Sequence, residues 1–176
     1  MKHDFYYRNG DIELRPMTYE DSQKYRLLRN QEQNRLCFFY QGLLSAEDQQ
    51  NWYAKYETDD TDIMFAFYYR NVFAGGNAIY HIDREKGCAE YGRLLVDKIN
   101  FPAKGIGSAI TYGASVIACK DLGLSMLYSE IYESNLPSIH ACLKAGFHEV
   151  ETRMLDNGQK IYYIVNTFEQ IRKEIG

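Results

Sequence analysis

The hydrophobic pattern of the chain changes period at Ile106, and this change constrains the fold more than any other feature. Upstream, residues 62–70, 77–83 and 88–96 read as strands, with turns expected at Gly75-Gly76 and Lys86-Gly87, which predicts an antiparallel meander. Downstream, Ile106, Ala109, Ile110, Gly113, Val116 and Ile117 recur at spacings of three and four. That is the apolar stripe of an amphipathic helix, which ends near Leu122-Gly123. A stripe of this kind must be buried, and the preceding strands supply the face to bury it against.

The remaining elements follow from local signals. Ile12 and Leu14 alternate with polar residues as a short strand. Thr18 with Asp21, and Ser45 with Asp48, have the spacing of helix N-caps, and they open helices over 18–29 and 46–57. Between them, residues 31–44 are irregular and aromatic. Residues 124–131 read as a strand, 135–145 as a helix with Gly146 in the C-cap position, and 147–153 as a strand. Asp156-Asn157-Gly158 is a hairpin turn into 160–166, and 167–174 reads as a terminal helix. The order βααβββαβαββα predicts a mixed α/β domain: a central, mostly antiparallel sheet of seven strands flanked by helices. With no repeat, linker or low-complexity stretch, residues 1–176 are expected to form one domain.

Charge and cysteine content exclude several functions. The 20 Lys and Arg against 24 Asp and Glu leave no broad basic surface to neutralise a phosphate backbone, so no nucleic-acid partner is expected. The longest apolar runs, such as 63–67, fall far short of the roughly 20 residues that cross a bilayer, and residues 1–10 lack a signal-peptide pattern. No membrane partner and a cytoplasmic location are the expectation. Cys37, Cys88, Cys119 and Cys142 show no metal-ligand spacing, and His81, His140 and His148 form no HExxH, so no metal is expected and the thiols suit a reducing compartment.

The strongest chemical signal is Lys104-Gly105-Ile106-Gly107-Ser108-Ala109, set between a strand and the long helix. Amides at a helix N-terminus have no intrahelical partner and lie at the positive end of the dipole, so a glycine loop there suits a phosphate. The same glycines are also what a tight strand-to-helix turn needs. The loop satisfies neither GxxxxGK[ST] nor GxGxxG.

Its companions are more specific. Ala89-Glu90-Tyr91-Gly92-Arg93-Leu94-Leu95-Val96, the glycine loop, Asn135-Leu136-Pro137-Ser138-Ile139 and Lys144-Ala145-Gly146-Phe147 together resemble the GNAT superfamily of acetyl-CoA-dependent N-acetyltransferases. The resemblance runs from about Asp11 to Asn166 and includes Glu13-Leu14-Arg15-Pro16. It implies acetyl-CoA as co-substrate, its pyrophosphate gripped by Lys104, Gly105, Ile106, Gly107 and Ser108. It also implies that the pantetheine arm lies along the free backbone edge at Leu94 and Val96 and bonds to Asn135. Two positions depart from the family pattern. Pro102 stands where the loop usually begins with Arg or Gln, and Cys142 stands where many members carry a tyrosine that protonates the departing thiolate.

An amine acceptor has a pKa near 10 and must lose a proton to attack, which calls for a base. Glu90, on the strand beside the implied acyl site, is the candidate base, although a strand carboxylate paired with a surface cation reads the same way. Cys142 is the candidate acid, with Tyr132 or water as stand-ins. Phe39, Tyr40 and Trp52 are candidates to floor an acceptor pocket, with core packing as the alternative, and Arg35 is a candidate for an anionic acceptor group. The resemblance thus predicts an acyltransferase acting on a small-molecule or N-terminal amine, such as an amino sugar of a nucleotide sugar or a protein N-terminus. A homodimer goes with this expectation. The alternative is a non-catalytic acyl-CoA-binding module of the same fold.

Overall fold

The computed structural model describes residues 2–175. Its strands are β1 (Tyr7–Asn9), β2 (Ile12–Pro16), β3 (Ile63–Tyr69), β4 (Val72–Asp83), β5 (Cys88–Val96), β6 (Met126–Tyr132), β7 (His148–Met154) and β8 (Lys160–Asn166). They form one sheet in the order β1-β2-β3-β4-β5-β6-β8-β7. The helices are α1 (Tyr19–Arg29), α2 (Glu32–Arg35), α3 (Ala46–Tyr56), α4 (Ile106–Lys120), α5 (Leu136–Lys144) and α6 (Glu169–Ile175). The fold is the expected mixed α/β sheet flanked by helices, with eight strands rather than seven.

The additional strand is β1, which pairs with β2 across a turn at Gly10 (φ +59°). Its anchor is remote: a Cβ on Gly113 of α4 would lie 2.5 Å from the Tyr7 ring, so the glycine makes the place where that ring packs. A second correction concerns Gly75-Gly76, which do not form a turn. The turn between β3 and β4 is Arg70-Asn71, both with left-handed backbones (φ 50° and 64°), the conformation a two-residue hairpin of matching twist requires. Gly75 and Gly76 lie inside β4, where a Cβ would stand 2.0 Å from the Leu95 carbonyl oxygen and 2.7 Å from that of Phe65, respectively. A third difference is the single turn of α2 within the segment read as irregular.

Both predicted capping boxes are present. Thr18 and Asp21 open α1 and Ser45 and Asp48 open α3, each pair exchanging side-chain and backbone bonds. The sheet divides the core. Ile63, Phe65 and Phe67 of β3 point with Ile106, Ile110, Ala114 and Ile117 of α4 into one cluster, together with Ile139, Cys142 and Phe168. Met64 and Ala66 point the other way, to Tyr25 and Leu28 of α1 and Tyr53 and Tyr56 of α3. Gly107 and Gly113 each weaken α4 by roughly 1 kcal/mol of intrinsic propensity. Burial of three isoleucines, at roughly 1.5–3 kcal/mol apiece, outweighs that cost.

Every strand pair is antiparallel except β5 with β6, and that parallel pairing covers only Cys88, Ala89 and Glu90 against Met126, Leu127 and Tyr128. Beyond it β6 continues alongside β8 and β5 alongside β4, so the two central strands part. Among the described residues no helix is long and apolar enough to cross a membrane, and no group of three or more His, Cys, Asp or Glu is placed to hold a metal ion.

Candidate active site

The site begins with a bulge in β5. Gly76 pairs with Leu95 and Ala78 with Gly92, so two steps along β4 face three along β5. The extra residue leaves Arg93 with φ +53°, a conformation that costs a non-glycine residue on the order of 1–3 kcal/mol and persists only when neighbours hold it. They do. Arg93 Nη1 donates to both carboxylate oxygens of Asp62 (2.9 and 2.8 Å), its guanidinium lies 4.2 Å from the centre of the Tyr80 ring, and its carbonyl accepts from the Tyr25 hydroxyl (2.7 Å). The bulge also exchanges the faces of the strand. Ala89 and Tyr91 point toward α4, whereas Leu95 points toward α1 and α3.

Where β5 and β6 part, a cleft of about 1170 Å³ opens. Leu94 and Val96 line it along the β5 edge that has no strand partner. Lys104, Gly105, Ile106, Gly107 and Ser108 line it at the start of α4, as do Asn135 and Cys142 on the α5 side. Gly105 is the N-cap of α4, with φ +85° and no side-chain capping bond, so the first-turn amides keep their donors. Ser108 Oγ turns back to the Gly105 carbonyl (2.9 Å) and does not occupy those amides. A Cβ at Gly107 would stand 3.4 Å from Cβ of Ala141, so this glycine is where α5 closes on the loop. These are the features a pyrophosphate needs: unclaimed amides, a dipole and a surface without side chains.

A polar chain supports the loop from below, and no sequence signal pointed to it. The Asn77 amide nitrogen donates to the Tyr91 hydroxyl (3.4 Å), which meets Thr111 Oγ1 (2.9 Å), which donates in turn to the Gly107 carbonyl (2.8 Å). Because the Thr111 proton goes to Gly107, the Tyr91 proton points to Thr111, and the whole chain is directed at the glycine loop. Asn135 caps α5, its side-chain oxygen accepting from the Ser138 amide (3.4 Å). Cys142 is buried, and burial pushes its thiol up to about 12, so it remains protonated.

The opposite wall of the cleft is made of side chains. Phe38, Phe39, Tyr40 and Trp52 all line it. Trp52 stacks on Tyr56 with centroids 5.1 Å apart, and Phe39 meets Tyr132 at 4.8 Å, joining the loop after α2 to the end of β6. Glu90 is one step removed. It is absent from the cleft lining, and its carboxylate accepts from the Tyr80 hydroxyl (2.6 Å) and meets His81 Nδ1 (2.9 Å). Tyr80 itself lines the cleft, and burial together with the Glu90 charge raises its phenol well above the ordinary value, which keeps it protonated. A Cβ at Gly92 would stand 2.8 Å from that hydroxyl, so Gly92 makes its place.

Arg35 does not reach the cleft. It donates to the Gln41 carbonyl and braces the loop from within. The arginines that line the cleft are Arg93, tied to Asp62, and Arg29, at the end of α1.

Residues 11–148 match the family of acetyltransferase (GNAT) domains. The chain belongs to this family, and it is an acetyl-CoA-dependent N-acetyltransferase. No curated protein matches it significantly by sequence. Among solved structures it is similar to a spermidine N-acetyltransferase from Vibrio cholerae in complex with CoA and spermine (TM-score 0.80, 17% identity, 89% of this chain and 95% of that one). It is also similar to AAC(6')-Ib bound to an aminoglycoside and acetyl-CoA (TM-score 0.77, 18% identity, 93% and 96%). At these identities the likeness is one of fold.

Proposed function

We propose that the chain transfers the acetyl group to a primary amine by direct attack within a ternary complex, the acceptor being an amino sugar of a nucleotide sugar or a protein N-terminus. The observation that carries this reading is one cleft at the β5–β6 parting, which joins the start of α4 to Tyr80, whose hydroxyl donates to Glu90 behind it. Amides of the glycine loop and the Leu94–Val96 edge hold the donor, whose bound form supplies a thioester. The Val96 amide polarises the thioester carbonyl as negative charge develops on its oxygen. As the amine nitrogen bonds to the carbonyl carbon and the C–S bond breaks, the Tyr80 phenol takes the amine proton and passes its own to Glu90. Cys142 fills space beside the site, since a thiol held near 12 is a poor acid for a thiolate, and Tyr132 or water returns the proton to sulfur.

Glu90→Gln is expected to lower the transfer rate by roughly 10²- to 10⁴-fold with acetyl-CoA affinity retained. A rate equal to that of the unmodified protein contradicts the assignment of the base. A second reading, an acyl-CoA-binding module without turnover, draws on Cys142 occupying the position of the family's tyrosine acid.

A further inference from the structure

Arg29 is 6% exposed, yet no carboxylate among the described residues pairs with it. Its guanidinium donates to the carbonyls of Gly42 (3.2 Å) and Tyr40, and its centre lies 4.7 and 5.7 Å from the rings of Phe38 and Tyr40. Taking a guanidinium out of water costs several kcal/mol, a cost that neutral carbonyls offset only in part and an anion offsets far better. Nη1 and Nη2 each make one of these bonds, whereas Nε makes none and is not among the orphaned buried atoms, so the guanidinium is not sealed off, and the residue lines the cleft.

The other charged side chains that line the cleft are hydrogen-bonded, paired or exposed. Asp48 accepts from the Ser45 amide and hydroxyl in the α3 capping box, Arg93 is tied to Asp62, and Glu130 is paired with Arg153 at 2.8 Å. Lys104 and Lys144 belong to the coenzyme side, one in the glycine loop and the other at the end of α5. Lys98, Lys104 and Lys144 are exposed, so among the described residues that line the cleft Arg29 is the buried cation without a carboxylate partner.

We propose that Arg29 is the anion-binding residue of the acceptor site, and that the acceptor is an amine carrying a phosphate or carboxylate that this guanidinium engages. The assignment rests on the transferase reading and narrows it. A guanidinium recognises phosphate and carboxylate oxygens through its planar set of donors, and its charge repels the polycation that a polyamine would bring.

The test is binding to protein saturated with coenzyme A, which occupies the lysines of the coenzyme side. Two matched pairs are compared by calorimetry: glucosamine 1-phosphate with glucosamine, and tyrosine with tyramine. Spermidine serves as the polycation. The member of at least one pair that carries the phosphate or carboxylate is expected to bind tenfold or more tightly than the counterpart that lacks it, and which pair does so separates phosphate from carboxylate. That ratio is expected to fall toward one in Arg29→Met, to survive in part in Arg29→Lys, and to shrink as salt is raised. Four results overturn the proposal: equal binding within both pairs, no binding of either anionic probe at millimolar concentration, a ratio that persists in Arg29→Met, or spermidine binding most tightly. If Arg29→Met does not fold, the unmodified protein and Arg29→Lys carry the test. Because the readout is binding, failure of the transferase reading is seen separately, as selective binding without any acetylated amine.

Discussion

The two halves of the cleft are made of different material. The half proposed to hold the coenzyme is five consecutive residues, 104–108, plus a strand edge, and what it offers is backbone. The acceptor half brings Tyr25 and Arg29 from α1, Phe38 to Tyr40 from a loop, Trp52 from α3 and Tyr80 from β4, and what it offers is side chains. A backbone site asks only for a local conformation and for the absence of a Cβ, so it tolerates drift in most residue identities. A side-chain site is rewritten by single substitutions. On the proposed function, the first half holds the donor and the second selects the amine.

The largest expected effect breaks the backbone half. Acetyl-CoA at about 100 times its dissociation constant should stabilise the fold by roughly 2.7 kcal/mol. Gly107→Asp should abolish that protection in a thermal-shift measurement, because it sets a carboxylate among the loop amides and a Cβ 3.4 Å from Ala141. Full protection of this variant would mean that the phosphates bind elsewhere.

The next effect belongs to the side-chain half. Tyr80→Phe removes the hydroxyl that links Glu90 to the cleft and should slow transfer by roughly 10- to 10³-fold while leaving acetyl-CoA affinity within about twofold. If Glu90→Gln is slow and Tyr80→Phe is not, the proton reaches Glu90 through water instead.

The smallest effect is at Cys142, where the two halves meet. Cys142→Ala should change turnover by less than about tenfold, or 1.4 kcal/mol of barrier. The pH dependence of its stability should differ from that of the unmodified protein only in alkali. The folded thiol titrates near 12 against an ordinary value of 9.0, so the folded state keeps its proton longer than the unfolded one. The stabilisation is complete below about pH 9 and is lost as pH rises toward 12. Urea unfolding across that window should show a shallower decline for Cys142→Ala, and parallel declines would mean that folding does not shift the thiol's titration.

The same division explains what could be read from the sequence. The caps at Thr18 and Ser45 and the loop at 104–108 were legible because all their determinants lie within a few residues. β1 was not, because its packing partner, Gly113, is more than a hundred residues away. Gly75-Gly76 resembles a turn locally, and only the carbonyls of Leu95 and Phe65 on neighbouring strands reveal why glycine is needed in mid-strand. Arg29 and Arg35 are equivalent on paper. The end of α1 aims one at the cleft, and the loop after α2 folds the other back onto Gln41. The Tyr80–Glu90 pair is a cross-strand contact of β4 and β5, and its signal is the register, which exists only once the sheet has formed.

The central claim is that both halves serve one reaction, and it is tested most directly by steady-state release of coenzyme A from acetyl-CoA with and without a panel of primary amines, with products read by mass. The account predicts release that depends on the amine, one acetylated amine for each coenzyme A, and loss of both in Glu90→Gln. Tight acetyl-CoA binding with no amine-dependent release across the panel would contradict it and leave a binding module in its place.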